Sequence, residues 1–115
     1  KDILEGKPEE IMELYENIKE RIDSEFNDVT IAPTKYYIAF KTNNKIIMCL
    51  QPQVNKINSW INLKENILYD PEKRSRDVTN IGHQGIGNYE FRIESDEDIF
   101  YFISLFKQAY DEKLK

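Results

Sequence analysis

Two stretches of the chain set apolar residues three and four positions apart. Ile11, Leu14, Tyr15, Ile18 and Ile22 make the first stripe, which predicts an amphipathic helix from about Pro8 to Phe26. Pro8 suits the first helical position, where a missing N–H costs nothing, and Glu9 and Glu10 meet the positive end of the helix dipole. Glu13, Glu16, Glu20 and Asp23 fall on the opposite, solvated side. The second stripe, Ile99, Phe102, Ile103, Phe106 and Tyr110, predicts a helix from about Asp96 to the end. Ser95 stands as its N-cap, with Asp98 three residues on in a capping-box arrangement.

Between the helices the period changes to two. Tyr36 to Thr42 and Lys45 to Gln51 read as strands joined by Asn43-Asn44, a pair that tolerates the positive φ of a tight hairpin turn. That register groups Ile38 and Phe40 with Ile47 and Cys49, and Tyr37 and Ala39 with Ile46, Met48 and Leu50. Both groups are apolar, so one sheet face needs a cover other than the two helices. Pro52 ends the second strand. Ile57 to Leu63 forms a third, with Ile57, Ile61 and Leu63 on one side and Trp60 on the other. Asp70-Pro71 marks a turn or a short helical start. In Asn88 to Glu94, Tyr89, Phe91 and Ile93 point inward against Glu90, Arg92 and Glu94. The order is helix, about four strands, helix. It predicts an α+β fold, an antiparallel sheet with both helices on one face as a two-layer sandwich.

A length of 115 residues suits one domain, here residues 1–115, with a core that needs no staples. The lone Cys49 excludes an internal disulfide and points to a reducing, cytoplasmic setting. No apolar run approaches the ~20 residues that span a bilayer, and Lys1 to Lys7 lacks the apolar core of a signal peptide. A start without Met leads us to expect a fragment, a module of a longer protein. The net charge of −5 excludes bulk electrostatic coating of nucleic acid but leaves room for a local basic patch.

Such a patch falls in Arg74 to Tyr89, which holds three of the four glycines and the only histidine. Gly82, Gly85 and Gly87 permit close approach to the backbone, and Arg74 and Arg76 suit bidentate contacts to phosphate or carboxylate. The stretch reads either as an anion- or nucleotide-binding loop or as an irregular turn held by an Arg76–Asp77 pair. Its glycines lead into a strand, so it is not a P-loop. One His and one Cys cannot close a zinc site of the usual ligands, and neither metal nor cofactor is expected. His83 lacks a nucleophile and an orienting partner for a triad, and reads more simply as a structural residue. A Cys49–His83 thiol site would need the hairpin to meet the loop. Asp77 followed by Glu90-Phe91-Arg92 resembles the acidic pattern of metal-dependent nucleases, with Arg in place of Lys. Lys35 and Tyr36, with Tyr37, Trp60 and Tyr69, offer basic and aromatic groups that could stack single-stranded bases or simply pack a sheet.

Pro33 to Lys41, together with Arg76-Asp77-Val78-Thr79-Asn80-Ile81-Gly82-His83, Gly85, Gly87 and Tyr89, resembles an uncharacterised prokaryotic domain of unknown function, sometimes labelled "predicted transport protein". The resemblance runs from about Tyr15 to Tyr110. It implies a C-terminal module beside nuclease-like or restriction-type domains of anti-phage defence, and carries over no catalytic residues. The resulting expectation is a non-catalytic binding module directed at nucleic acid or nucleotide. Its contacts would be Lys35, Tyr36, Arg74, Arg76, Asp77, Gly82, His83, Gly85, Gly87 and Tyr89. The alternatives are a metal-dependent nuclease or phosphodiesterase using Asp77, Glu90 and Arg92, and a protein-interaction or self-association domain.

Overall fold

The apolar stripe of the first helix has one place to go, onto a sheet. In the computed structural model, which describes residues 3–83 and 85–115, helix α1 runs Glu9–Glu25 and buries all five stripe residues. Pro8 lies just before it, extended, and its carbonyl accepts the N–H groups of Ile11 and Met12. The strands follow as β1 Thr30–Pro33, β2 Ile38–Thr42, β3 Lys45–Pro52, β4 Ile57–Ile61, β5 Ser75–Asp77 and β6 Tyr89–Ile93, and helix α2 spans Asp96–Lys113. The sheet is antiparallel throughout in the order β1-β2-β3-β4-β6-β5. After β4 the chain runs past the place β6 will take, forms the edge strand β5, and returns as β6.

The α+β class and the helices on one face are as the patterns require, but the sheet has six strands rather than about four. The two additional strands are short. β1 ends in a proline, and β5 is Ser-Arg-Asp with no apolar residue to show a period.

The hairpin turn forms as expected, with Asn43 and Asn44 both at positive φ (52° and 61°). Its register differs. Ile38 pairs with Leu50, Ala39 with Cys49 and Phe40 with Met48; the register then slips, so that Lys41 faces Ile46 and Ile47 has no partner. This is a β-bulge, one extra residue that kinks its strand. It puts Ile38, Phe40, Ile47, Met48 and Leu50 in the core under the helices, and Ala39 and Cys49 on the other face. A bulge cannot be read where both faces are apolar, because polarity no longer marks the slip.

The main core joins both helices to Ile57, Ile61, Phe91 and Ile93. The buried face of α2 is wider than its stripe, adding Leu105, Ala109 and Lys113, whose ammonium donates to the Asn62 carbonyl. Tyr110 is half-buried and donates its hydroxyl proton to the Asn27 carbonyl. Ser95 makes no side-chain cap, and Asp98 Oδ2 accepts the N–H of Glu94, one residue before the cap, so the expected capping box does not form. Among the described residues no helix is long and apolar enough to cross a membrane.

The Asn43-Asn44 turn sets the register that the bulge then modifies. Asn44→Gly should stabilise the fold by up to about 1 kcal/mol, since glycine carries no left-handed penalty. Asn44→Val should cost about 1–2 kcal/mol. Urea unfolding midpoints check both.

Candidate functional site

On the face away from the helices, register aligns one residue from every strand. Ala32, Ala39, Cys49, Trp60, Glu90 and Arg76 lie in a row across the sheet. At its centre Trp60 is 2% exposed although no helix reaches it. The chain between β5 and β6 covers it. Val78 is buried against Ala39, Cys49 and Trp60, and His83 stacks on the indole at 5.3 Å between ring centroids, 11° from parallel. The Ile86 N–H points at Cys49 Sγ (3.5 Å). Asn88 ties the end of the loop to β4, its N–H on the Ile61 carbonyl and its side-chain amide on that of Leu63.

Two glycines make this possible. A Cβ on Gly85 would lie 2.2 Å from the Trp60 ring, and one on Gly87 would lie 2.7 Å from the Trp60 backbone. Gly87 also holds φ at +151°, a region disfavoured for other residues. A Cβ on Gly82 would meet nothing within 4 Å. The uncovered hairpin face is thus closed by the β5–β6 loop, which lies against the indole at Gly85 and against the β4 backbone at Gly87.

The polar atoms of the row are used in series. Trp60 Nε1–H donates to Glu90 Oε2 (3.2 Å), and Arg76 Nη2 donates to Glu90 Oε1 (3.1 Å). Arg76 remains 63% exposed. Arg92, two residues along β6 and on the same face, is exposed and lies in register with Asn58 and Gln51. His83 Nδ1 is buried without a hydrogen-bond partner among the described residues. The hairpin does meet the loop at Cys49, yet burial pushes the thiol up to about 11, only partly opposed by the Ile86 N–H and Lys41. A thiol held there is protonated at neutral pH and is a poor nucleophile.

Asp77 lies one residue beyond Arg76, so its side chain leaves the opposite face of the strand. Its carboxylate accepts the hydroxyl and the N–H of Thr79, which hold its pKa low. Arg76 and Asp77 therefore do not pair with each other. Asp77 and Glu90 stand on opposite sides of the sheet, a geometry in which they cannot share one cation. No group of three or more metal-ligating side chains occurs among the described residues.

Arg74 turns toward α2. It pairs with Asp98 and lies over the rings of Tyr101 (4.8 Å) and Phe91 (5.2 Å). Arg74, Arg76 and Arg92 line one cleft of about 420 Å³ where β6 runs on past β5, together with Glu90, Glu94 and Asp98. Lys35 and Tyr36 sit in the β1–β2 turn, at the far edge of the sheet, roughly 24 Å away across five strand spacings. Of the ten candidate contacts, Arg76, His83, Gly85 and Gly87 gather around Trp60, Arg74 joins Arg76 at the cleft, and Lys35 and Tyr36 stand apart. Tyr89 packs half-buried against the main core, and Gly82 is exposed. Gln84 lies outside the described residues.

Asp70 organises this edge, though the sequence marks it only as part of a turn. Its carboxylate accepts the Ser75 N–H (2.8 Å) and hydroxyl (2.6 Å), the Arg74 N–H (3.0 Å) and the Tyr101 hydroxyl. Partial burial alone would raise its pKa, but the hydroxyls of Ser75 and Tyr101 and the two N–H groups outweigh it and hold Asp70 at about 2.

Two predictions follow from these contacts. Gly85→Ala should destabilise the fold by about 1–3 kcal/mol because the indole cannot retreat. Gly82→Ala should be neutral or stabilising by up to about 1 kcal/mol; chemical denaturation compares them. Asp70 titrates near 3.9 when unfolded, so its stabilisation is complete above about pH 4 and fades as pH falls toward 2. Asp70→Asn should be less stable at neutral pH, and the gap should close across pH 4 to 2 in denaturation midpoints.

Comparison with known proteins places the chain. It is 41% identical over 108 residues to an uncharacterised protein of Haemophilus influenzae, covering 94% of this chain and 35% of that one. The chain thus spans about a third of the curated relative it matches. No solved structure matches it. Residues 1–113 match the family described as "Domain of unknown function (DUF5655)", and the chain belongs to that family of prokaryotic domains.

Proposed function

We propose that the chain is a non-catalytic binding module of a larger prokaryotic protein, and that the sheet face away from the helices contacts the phosphates of a nucleic acid. The observation that carries this reading is the separation of charge between the two faces. Helix α1 bears seven carboxylates and α2 five, against two Lys or Arg in each. On the outer face of the strands Lys41, Arg76 and Arg92 stand against Glu90, with Glu94 just past the end of β6, and Glu90 is already engaged by Arg76 and the Trp60 indole. A partner rich in phosphate is repelled by one side of the molecule and attracted by the other, which orients it despite the net charge of −5.

Arg76 is the central contact, exposed and with its Glu90 partner beside it; Arg92 and Arg74 extend the positive edge around the cleft. This replaces the wider candidate set, because Lys35 and Tyr36 belong to the other edge. The match to about a third of a relative supports a module within a longer chain. A cytoplasmic setting, a C-terminal position and company with restriction-type or nuclease-like domains of phage defence rest on the family resemblance and belong to the same proposal.

Fluorescence anisotropy with a labelled single-stranded oligonucleotide and its duplex tests it. Binding should weaken as salt rises, and Arg76→Ala with Arg92→Ala should weaken it on all sequences alike. The double variant should also lower the salt slope by about 1 for each phosphate contact removed. Absence of salt-dependent binding, or a double variant that binds as the wild type does, overturns the proposal.

A further inference from the structure

The two edges of the sheet are finished differently. Just past β5, Val78 donates its N–H to the carbonyl of Asn88, which precedes β6, so by the two-residue alternation of an antiparallel ladder the N–H of Ser75 turns outward. Asp70 receives that N–H, together with the Ser75 hydroxyl and the Arg74 N–H. A carboxylate of the same chain thus takes one of the outward donors that another strand would use, while Asp77, two residues on, keeps its N–H turned outward.

The β1 edge has no such cover among the described residues. Thr34 donates its N–H to the Tyr37 carbonyl (2.7 Å), so Thr30 and Ala32 also turn toward β2. Ile31 and Val29 turn their N–H and C=O groups outward. Pro33 presents only a carbonyl there, which limits the open edge to a few residues. Beside it lies a groove of about 340 Å³ between α1 and the sheet. Val29, Ile31, Ile22 and Phe40 give it an apolar floor, and Ile31 is 37% exposed within it. Glu16, Glu20 and Asp23 rim it against one cation, Lys19. Lys19 lies 3.8 Å from Glu16, while Glu20 and Asp23 have no ion-pair partner among the described residues.

We infer that the β1 edge is a docking site for an extended peptide that adds a strand beside Thr30–Pro33. The peptide would place an apolar side chain in the groove and Lys or Arg at the neighbouring positions on that same face. Backbone bonds to Val29 and Ile31 supply the strand pairing, the groove selects the apolar residue, and Glu20 and Asp23 select the basic ones. A second copy of this chain fits badly. Pairing β1 with β1 would bring the acidic rims of two grooves together, and like charges meeting across an interface disfavour it. The site is independent of the nucleic-acid face, which lies on the other side of the sheet.

The probe is the hexapeptide Lys-Thr-Ile-Thr-Lys-Thr with blocked ends, in which Lys, Ile and Lys share one face of an extended strand. Titrated into the full 115-residue chain and followed by ¹⁵N–¹H NMR, it should shift the amides of Val29 and Ile31 and leave those of Ser75 and Asp77 in place. Replacing both of its lysines by Glu should abolish binding. Glu20→Gln with Asp23→Asn, two changes on the solvated helix face, should weaken it roughly fivefold. Ile31→Pro, which removes one edge donor, should remove it altogether. The inference is overturned if the basic and acidic peptides bind alike, if the shifts fall elsewhere, or if the Glu20/Asp23 variant binds unchanged. It is equally overturned if the Val29 and Ile31 amides change with protein concentration alone, which would make a second copy the occupant.

Discussion

An indole in the middle of a sheet, on the side where no helix lies, has to be covered and its N–H has to be bonded. Trp60 imposes both requirements. The ring is roofed by His83 and by a loop whose Gly85 brings the backbone within contact distance of it. The N–H goes to Glu90, and the carboxylate, held at the sheet surface, draws Arg76 from the neighbouring edge strand. Burying so large a side chain is worth about 2–3 kcal/mol, and an unbonded N–H would cancel much of that. The loop, the last strand and the β5 edge are thus tied to one residue of β4. The two helices, which hold the larger core, do nothing for this face.

Much of the architecture was legible because the period of the apolar residues is clean. Tyr89, Phe91 and Ile93 alternate without exception, and the stripe from Ile11 to Ile22 admits no other face. Legibility ended where polarity stopped marking a side. In β3, Ile46 to Leu50 is apolar at every position, so the bulge at Ile47 leaves no trace and the faces of Met48 and Cys49 come out exchanged. Ser75-Arg76-Asp77 has no apolar residue at all; it becomes a strand because Tyr89 to Phe91 offers it an open ladder.

The candidate site shows the same limit in a different form. Its segment was recognisable by the concentration of glycine and arginine, but the assembly depends on register across several strands, which local spacing does not encode. Neighbours in sequence separated: Arg76 and Asp77 leave opposite faces of β5. Strangers in sequence met: Glu90 lies between Trp60, thirty residues before it, and Arg76. Asp70 was visible only as the residue before a proline, although its four donors fix both the approach to β5 and the seat of α2 against that edge.

The covering of β5 by Asp70 also bears on assembly. A sheet with two bare edges can add neighbour to neighbour without end, which is the geometry of a fibre. In this sheet Asp70 takes the outward N–H of Ser75, so the β5 edge keeps fewer free donors than its length offers. An edge with fewer free donors is a poorer template, so head-to-tail stacking of one copy's β1 on another's β5 is disfavoured. The turn before β5 thus acts against open-ended growth of the sheet, and it does so with a single side chain.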